Sequence, residues 1–296
     1  MFLSTDDLIS PGISACQGCA AEYILRTAMK VMGPNSILGV PPGCMAGAGV
    51  VGWNRLSGAK VPVTIPLLDN SASLMAGVKR YYSHIDRNDI KVIVFAGDGA
   101  TADVGFQALS GAAERGENII YLCYDNEGYM NTGFQRSGTT TKGSITSTTP
   151  LGKLKKGKRE HKKDIPLLMA MHDCSYVATI SPAYTNDFIN KLQKAKMMEQ
   201  GFVYLHILSP CPTGWKFSPE KVFAIARLAV ETDFFPLWEY EGGKFRQTVF
   251  IKEKKPVREF LNKIGKFNHL SNANIEDLQQ WVNRKSDLLN RLFTNI

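Results

Sequence analysis

The chain has 296 residues, 44% of them hydrophobic, with a formal charge of +8; that is enough apolar material to bury a full core as one large α/β domain or two smaller ones. No stretch reaches the roughly 18 uninterrupted apolar residues of a membrane-spanning helix, and Asp6 and Asp7 do not suit an export signal, so a soluble cytoplasmic protein with no membrane partner is expected. Six cysteines without such a signal point to reduced thiols available for metal rather than to a disulfide framework.

In chain order, short β-rich runs alternate with helical patterns, which predicts an α/β fold with a mostly parallel sheet covered by helices on both faces. Strands are expected at 36–40, 63–65, 91–96, 118–124, 176–180 and 202–208, the second weakened by the flanking Pro62 and Pro66. Between the third and fourth, a helix is expected over 102–115, with Val104, Ala108, Leu109 and Ala112 as its apolar stripe and Gly116 as its stop. The basic run 153–163 crowds Lys and Arg around Glu160. It reads as a hydrated loop or as a dock for an acidic partner or anionic substrate; with no aromatic side chain to stack bases, nucleic acid is not an expected partner. Ser218 and Pro219 open a helix carrying Val222, Ile225, Ala226 and Ala229 on one face. From Trp238 the character changes: a hairpin at Gly242-Gly243, a charged stretch through Lys252 to Lys255, and a final amphipathic helix with Ile275, Leu278, Val282 and Leu289 inward. The expected division is a cofactor-binding domain over 1–237 and a small C-terminal extension over 238–296, packed on that domain or on a partner subunit.

Chemistry enters at Gly97-Asp98-Gly99-Ala100, where a buried strand ends in a turn. Its glycines admit a close ligand, and the following helix start favours an anion. A carboxylate in such a turn repels a diphosphate unless a divalent cation lies between them, so Asp98 implies Mg2+. The next strand ends in the oxygen-rich loop from Asp125 to Gly133. Asp98, the Asn126 amide and the Gly128 carbonyl, with two phosphate oxygens and a water, complete an octahedral set. A dinucleotide turn fits less well, because Ala102 stands where its third glycine belongs.

Four cysteines form the second constellation: Cys16 and Cys19 as a C-x-x-C pair, Cys44 after a glycine, and Cys211 between two prolines. Thiolates suit an iron–sulfur cluster or zinc, and ligand type alone does not decide between them. Cys123 lies in an expected strand and Cys174 has no partner pattern, so both are expected to be ordinary buried cysteines.

The chain resembles the thiamine-diphosphate-binding β subunits of the 2-oxoacid:ferredoxin oxidoreductases, of which pyruvate:ferredoxin oxidoreductase is the best known. The likeness rests on Cys16 to Cys19, Gly43-Cys44-Met45, Gly97-Asp98-Gly99, Gln107 to Ala112, the Asp125 to Gly133 loop and Cys211-Pro212-Thr213-Gly214-Trp215. The resemblance implies a [4Fe-4S] cluster on Cys16, Cys19, Cys44 and Cys211, close to the thiamine ring. It implies a cofactor site of Gly43, Cys44, Gly97, Asp98, Gly99, Ala100, Asn126, Gly128, Asn131 and Thr132, with Asn131 as the catalytic residue that orients the substrate oxygen. The implied activity is oxidative decarboxylation of a 2-oxoacid, electrons passing through the cluster to ferredoxin and the acyl group to coenzyme A. The family's glutamate that promotes ylide formation lies on an α subunit, and the chain has no ferredoxin-type cysteine run, so a hetero-oligomer with an α subunit and a ferredoxin-like subunit is implied. The segment Ala46-Gly47-Ala48-Gly49-Val50 departs from the pyruvate pattern. Pyruvate is the default substrate, with oxalate, another short 2-oxoacid or an aryl glyoxylate as alternatives, and oxalate would need no coenzyme A. Two other readings remain open from the residues: a non-redox thiamine lyase with structural zinc, and an electron-transfer or scaffold subunit with a vestigial cofactor site.

Overall fold

Strands buried on both faces, alternating with one-sided helices, build an eight-stranded sheet in a computed structural model that describes residues 7–47, 58–153 and 156–294. The six parallel strands are β1 (Ser36–Gly39), β2 (Val63–Thr64), β3 (Lys91–Gly97), β4 (Ile120–Asp125), β5 (Tyr176–Ile180) and β6 (Val203–Leu208). Every residue of β4, β5 and β6 is buried, which is why these runs read as continuous apolar segments rather than alternating ones. One layer, with Ile24, Leu25 and Met29 of helix α1 (Ala20–Met32), packs on the face of Phe95, Leu122 and Leu205. The other face, with Val92, Val94 and Tyr121, carries Met75 of α2 (Ser71–His84) and Leu109 of α3 (Phe106–Glu114).

The strand order β2-β1-β3-β4-β6-β5 makes β1, β3, β4 and β6 consecutive neighbours. Registers such as Gly97 opposite Tyr124, and Asp125 opposite Leu208, bring their carboxyl ends level. The turn after β3, the loop after β4 and the Cys211 segment after β6 therefore emerge side by side along one edge, the usual position for a ligand crevice in a parallel sheet.

After residue 237 the chain continues the same sheet. Strand β7 (Trp238–Glu241) pairs antiparallel with β5, and β8 (Lys244–Gln247) pairs with β7 across the Gly242-Gly243 turn. The last helix (Asn272–Thr294) buries Ile275, Leu278, Val282 and Leu289, the face its spacing predicts, and the first three join a core shared with Trp215, Phe234 and Phe260. Among the described residues no helix is long and apolar enough to cross a membrane.

Three local expectations need correction. Residues 102–115 are not one helix: a π-helical turn at Ala100–Val104 precedes α3, and its wider winding rotates Val104 off the apolar stripe to 51% exposure. Ser218 makes no side-chain cap; a 3-10 turn at Pro219–Lys221 starts that segment and the α-helix begins at Val222. In the basic run, Lys153, Lys156, Arg159, Glu160 and Lys163 are exposed as a hydrated loop requires, but Lys158 is 2% exposed and donates to the carbonyls of Gly138 and Thr140. The Lys158 ammonium is drawn in by the carbonyls of the loop beside it, whereas Lys163 meets Asp103 of the π-helical turn and stays exposed. Asp6, residues 154–155 of that run, and residues 48–50 of the segment after Cys44 lie outside the described residues.

Candidate active site at the carboxyl ends of the central strands

Asp98 follows β3 directly and is fully buried. Its Oδ2 accepts from the hydroxyls of Ser137 and Thr139, and its Oδ1 accepts from the Asn126 backbone N–H at 3.3 Å. Burial, and then the neighbouring Asp125 carboxylate, push Asp98 well above the usual carboxylate range; a divalent cation in contact would restore the charged form. The end of the Asn126 amide lies 2.9 Å from Asp98 Oδ1 and 2.7 Å from the Gly128 carbonyl. With its nitrogen on that side, the amide donates to both. With its oxygen there, that oxygen stands from each of the other two at the spacing of about 3 Å that neighbouring ligands take around an octahedral ion with bonds of about 2.1 Å. The donor set thus fits Mg2+.

The loop that carries Asn126 and Gly128 is clamped on both sides by buried charge. Asp125 accepts from the Glu127 N–H at 2.9 Å through Oδ1 and lies 3.0 Å from His206 Nε2 through Oδ2; the other ring nitrogen, Nδ1, is 2.8 Å from the Tyr204 hydroxyl. Glu127 adopts φ +64°, a conformation non-glycine residues hold only under local constraint. Its carboxylate pairs with Lys266 and, at 3.5 Å, with Lys162, and accepts from Thr141 at 2.8 Å. Burial pushes Glu127 up, but Lys266 and Lys162 outweigh it and hold the carboxyl below its ordinary range. Tyr129, further along the loop, donates to the Gly99 carbonyl at 3.1 Å. A Cβ on Gly99 would lie 2.4 Å from that ring, so the loop closes on the turn only because residue 99 is glycine.

Between the turn after β3 and the loop after β4 runs a cleft lined by Gly43, Cys44, Gly97, Gly99, Ala100, Asn126, Gly128, Asn131 and Thr132. These are the positions expected to hold the cofactor, except Asp98, which is fully buried between Gly97 and Gly99 and does not itself line the cleft. Beside it opens a cavity of about 640 Å³, whose wall includes Cys16, Cys19, Cys44 and Cys211. Cys44, Asn126, Met130 and Asn131 line both spaces. The thiols sense one another: burial pushes Cys44 up to about 12, and Cys211, Cys19 and Cys16 push in the same direction. Cys19 precedes α1, and Cys211 caps a four-residue helix, Pro212–Trp215, its Sγ accepting from the Gly214 N–H at 3.3 Å. Among the described residues no three His, Cys, Asp or Glu side chains converge on a point that a single ion could occupy; the four thiols stand around a volume instead. Cys123 and Cys174 are buried away from it, as expected.

Several residues here were not singled out from the sequence: Ser137 and Thr139 on Asp98, the Asp125–His206–Tyr204 chain, and Lys266 under the loop. The run Ser137-Gly138-Thr139-Thr140-Thr141 was a visible signal, since so many adjacent hydroxyls suit a buried carboxylate pair. Lys266 carried none, being separated by 139 positions from its partner Glu127.

Residues 45–207 match the family model of the thiamine pyrophosphate enzyme C-terminal TPP-binding domain. The chain is 45% identical over 291 residues to NADH-dependent phenylglyoxylate dehydrogenase subunit beta of Aromatoleum evansii, with 97% of this chain covered; it spans 65% of that protein's length. It is 44% identical to pyruvate synthase subunit PorB of Methanothermobacter thermautotrophicus, with 95% of this chain and 97% of that one covered. In fold it resembles a solved 2-oxoglutarate:ferredoxin oxidoreductase from Magnetococcus marinus, with TM-score 0.58, 20% identity, and 76% of this chain and 79% of that one covered. A Gly-Asp-Gly turn facing an Asn loop, four thiols around the adjoining space and near-complete alignment with curated subunits lead to one assignment: the chain belongs to the thiamine-diphosphate-binding β subunits of the 2-oxoacid:ferredoxin oxidoreductases.

Proposed function

We propose that this chain is the cofactor-bearing subunit of a cytoplasmic 2-oxoacid oxidoreductase, holding Mg2+ and thiamine diphosphate over Asp98 and a [4Fe-4S] cluster on Cys16, Cys19, Cys44 and Cys211. The observation that carries the reading is the shared wall: Cys44, Asn126, Met130 and Asn131 border both the Asp98 cleft and the thiol-lined cavity. Thiamine diphosphate supplies the nucleophilic carbon and electron sink for decarboxylation, and the cluster supplies a one-electron acceptor.

The chain's own residues position and insulate. Asp98, the Asn126 amide oxygen and the Gly128 carbonyl hold the cation, while Gly97, Gly99 and Ala100 let the backbone lie against the diphosphate. Ser137 and Thr139 orient the Asp98 carboxylate by donating to it, the support that metal-binding carboxylates generally need. Asn131, exposed at the mouth of the cleft, orients the substrate oxygen; Thr132 beside it lines the cleft. Cys44 closes the boundary between the two sites. An iron–sulfur cluster suits the four thiols better than zinc, because a redox-silent ion would have no use beside a cofactor that must give up electrons.

The α subunit supplies the acid that activates the cofactor, and a ferredoxin-like subunit and ferredoxin carry the electrons away. Pyruvate and an aryl glyoxylate are the leading substrates, each matching the name of a relative at similar identity. The native complex is to be assayed with a panel of 2-oxoacids and a viologen dye, with and without coenzyme A. Dye reduction by a 2-oxoacid is expected; activity with none of the panel overturns the reading.

A further inference from the structure

Trp215 joins the two halves of the site. Its main-chain N–H donates to the Cys211 carbonyl at 2.8 Å, closing the short helix that Cys211 caps. Its indole N–H donates to the carbonyl of Asn126 at 2.7 Å, on the residue whose amide belongs to the Asp98–Gly128 oxygen set. The ring is fully buried, and the Lys266 ammonium sits 4.1 Å from its centroid while paired with Glu127, the next residue of the same loop. A buried indole N–H needs some acceptor wherever it packs, but here the acceptor is the cofactor loop itself, and a buried cation, costly to desolvate, stands against the ring. A Cβ on Gly214 would lie 2.3 Å from the Met130 sulfur, so the short helix also rests directly on the cofactor loop.

We propose that Trp215 is a positioning residue that couples the two sites, so that metal on the Cys16–Cys19–Cys44–Cys211 site raises the affinity of the Asp98–Asn126–Gly128 site for Mg2+ and a diphosphate. This rests on the functional reading above and deepens it. Metal on Cys211 fixes the end of the short helix; the helix fixes the indole; the indole holds the main-chain carbonyl of Asn126. By linkage the effect is reciprocal: a filled cofactor site tightens metal retention by the thiols.

The test uses the full chain in two states, with its iron and after anaerobic removal of iron by a chelator. Each is titrated calorimetrically with thiamine diphosphate in excess Mg2+. In the wild type the iron-loaded form should bind about five-fold more tightly or better. Trp215→Phe, which keeps the ring and loses the N–H, should bring that ratio close to one. A merely structural tryptophan predicts weaker binding in both states with the ratio intact, and that result overturns the proposal. Lys266→Gln is measured in parallel, keeping the indole while withdrawing the charge that seats it, and should reduce the ratio about two-fold or more; if Trp215→Phe does not fold, an unchanged ratio in Lys266→Gln overturns the coupling. Wild-type protein that binds no thiamine diphosphate in either state defeats the functional reading itself and the coupling with it, whereas binding with an unchanged ratio in the variants defeats the coupling alone.

Discussion

The oxygen floor under the cleft and the thiol wall beside it are built in opposite ways. The floor is buried, its carboxylates tied to hydroxyls, backbone N–H groups and a histidine, and it stands on the ends of adjacent strands β3 and β4. The wall draws its cysteines from three distant stretches of chain, with Cys16 exposed and Cys19, Cys44 and Cys211 half-buried. Burial raises Cys19, Cys44 and Cys211, and as thiolates they repel one another. The fold therefore finishes the floor by itself, whereas the wall is completed only by the metal that neutralises it, since metal binding must also remove the thiol protons. A parallel sheet preorganises what lies at its strand ends; it leaves longer-range ligand sets to be closed by what they bind.

The contrast can be broken from either side. Asp98→Ala should have the largest effect, lowering affinity for thiamine diphosphate with Mg2+ by at least about a hundred-fold, the upper end of what even outer partners of a metal ligand contribute. Iron should still be bound, its retention weakened only by the coupling factor of about five-fold. Equilibrium dialysis and an iron assay check both halves; joint loss of cofactor and iron would dissolve the distinction. Cys19→Ser should remove the iron and its visible absorbance, while the Asp98 cleft keeps its cofactor within about ten-fold of wild type. Near-complete loss of thiamine diphosphate binding in that variant would mean that the floor is not self-sufficient.

Thr139→Val tests the floor more finely. The hydroxyl serves Asp98 at 3.0 Å and Asp125 at 2.8 Å, so its loss should cost about 1–3 kcal/mol in urea unfolding and about ten-fold in Mg2+ affinity. The smallest effect concerns pH. Glu127 has a folded-state pKa below its ordinary value of 4.5, because Lys266 and Lys162 overcome the penalty of burial. Its stabilisation should be complete above about pH 4.5 and fade as pH falls through the lower folded value. The stability difference between wild type and Glu127→Gln should therefore narrow from pH 7 towards pH 4 in urea unfolding; a constant difference would show that its charge contributes nothing.

Much of this was legible in the residues. Buried parallel strands announce themselves as apolar runs, and strands 36–40 and 91–96 fall within a residue of β1 and β3. The Gly97-Asp98-Gly99 turn and the Asn126 loop were readable because steric and charge requirements leave few alternatives at such positions. Less legible was anything dependent on tertiary approach. The π-helical turn that exposes Val104 arises where the chain turns from β3 above the cofactor floor, a constraint that helical periodicity cannot express. The basic run read as a hydrated loop or a dock, and nothing local showed that Lys158 and Lys162 within it would meet the carbonyl- and carboxylate-bearing loop between 125 and 141. Lys266 and Trp215 belong to the same class: their roles arise from contacts with residues far away in sequence.

The central claim is that sulfur-held iron and magnesium-held diphosphate are neighbours in this chain. Crystals grown anaerobically with Mg2+ and thiamine diphosphate, measured at the iron absorption edge, test it most directly. The account predicts compact anomalous density enclosed by the sulfurs of Cys16, Cys19, Cys44 and Cys211, with diphosphate and one cation over Asp98, Asn126 and Gly128. A zinc signal among the thiols, thiols without metal, or a diphosphate bound away from Asp98 would contradict it.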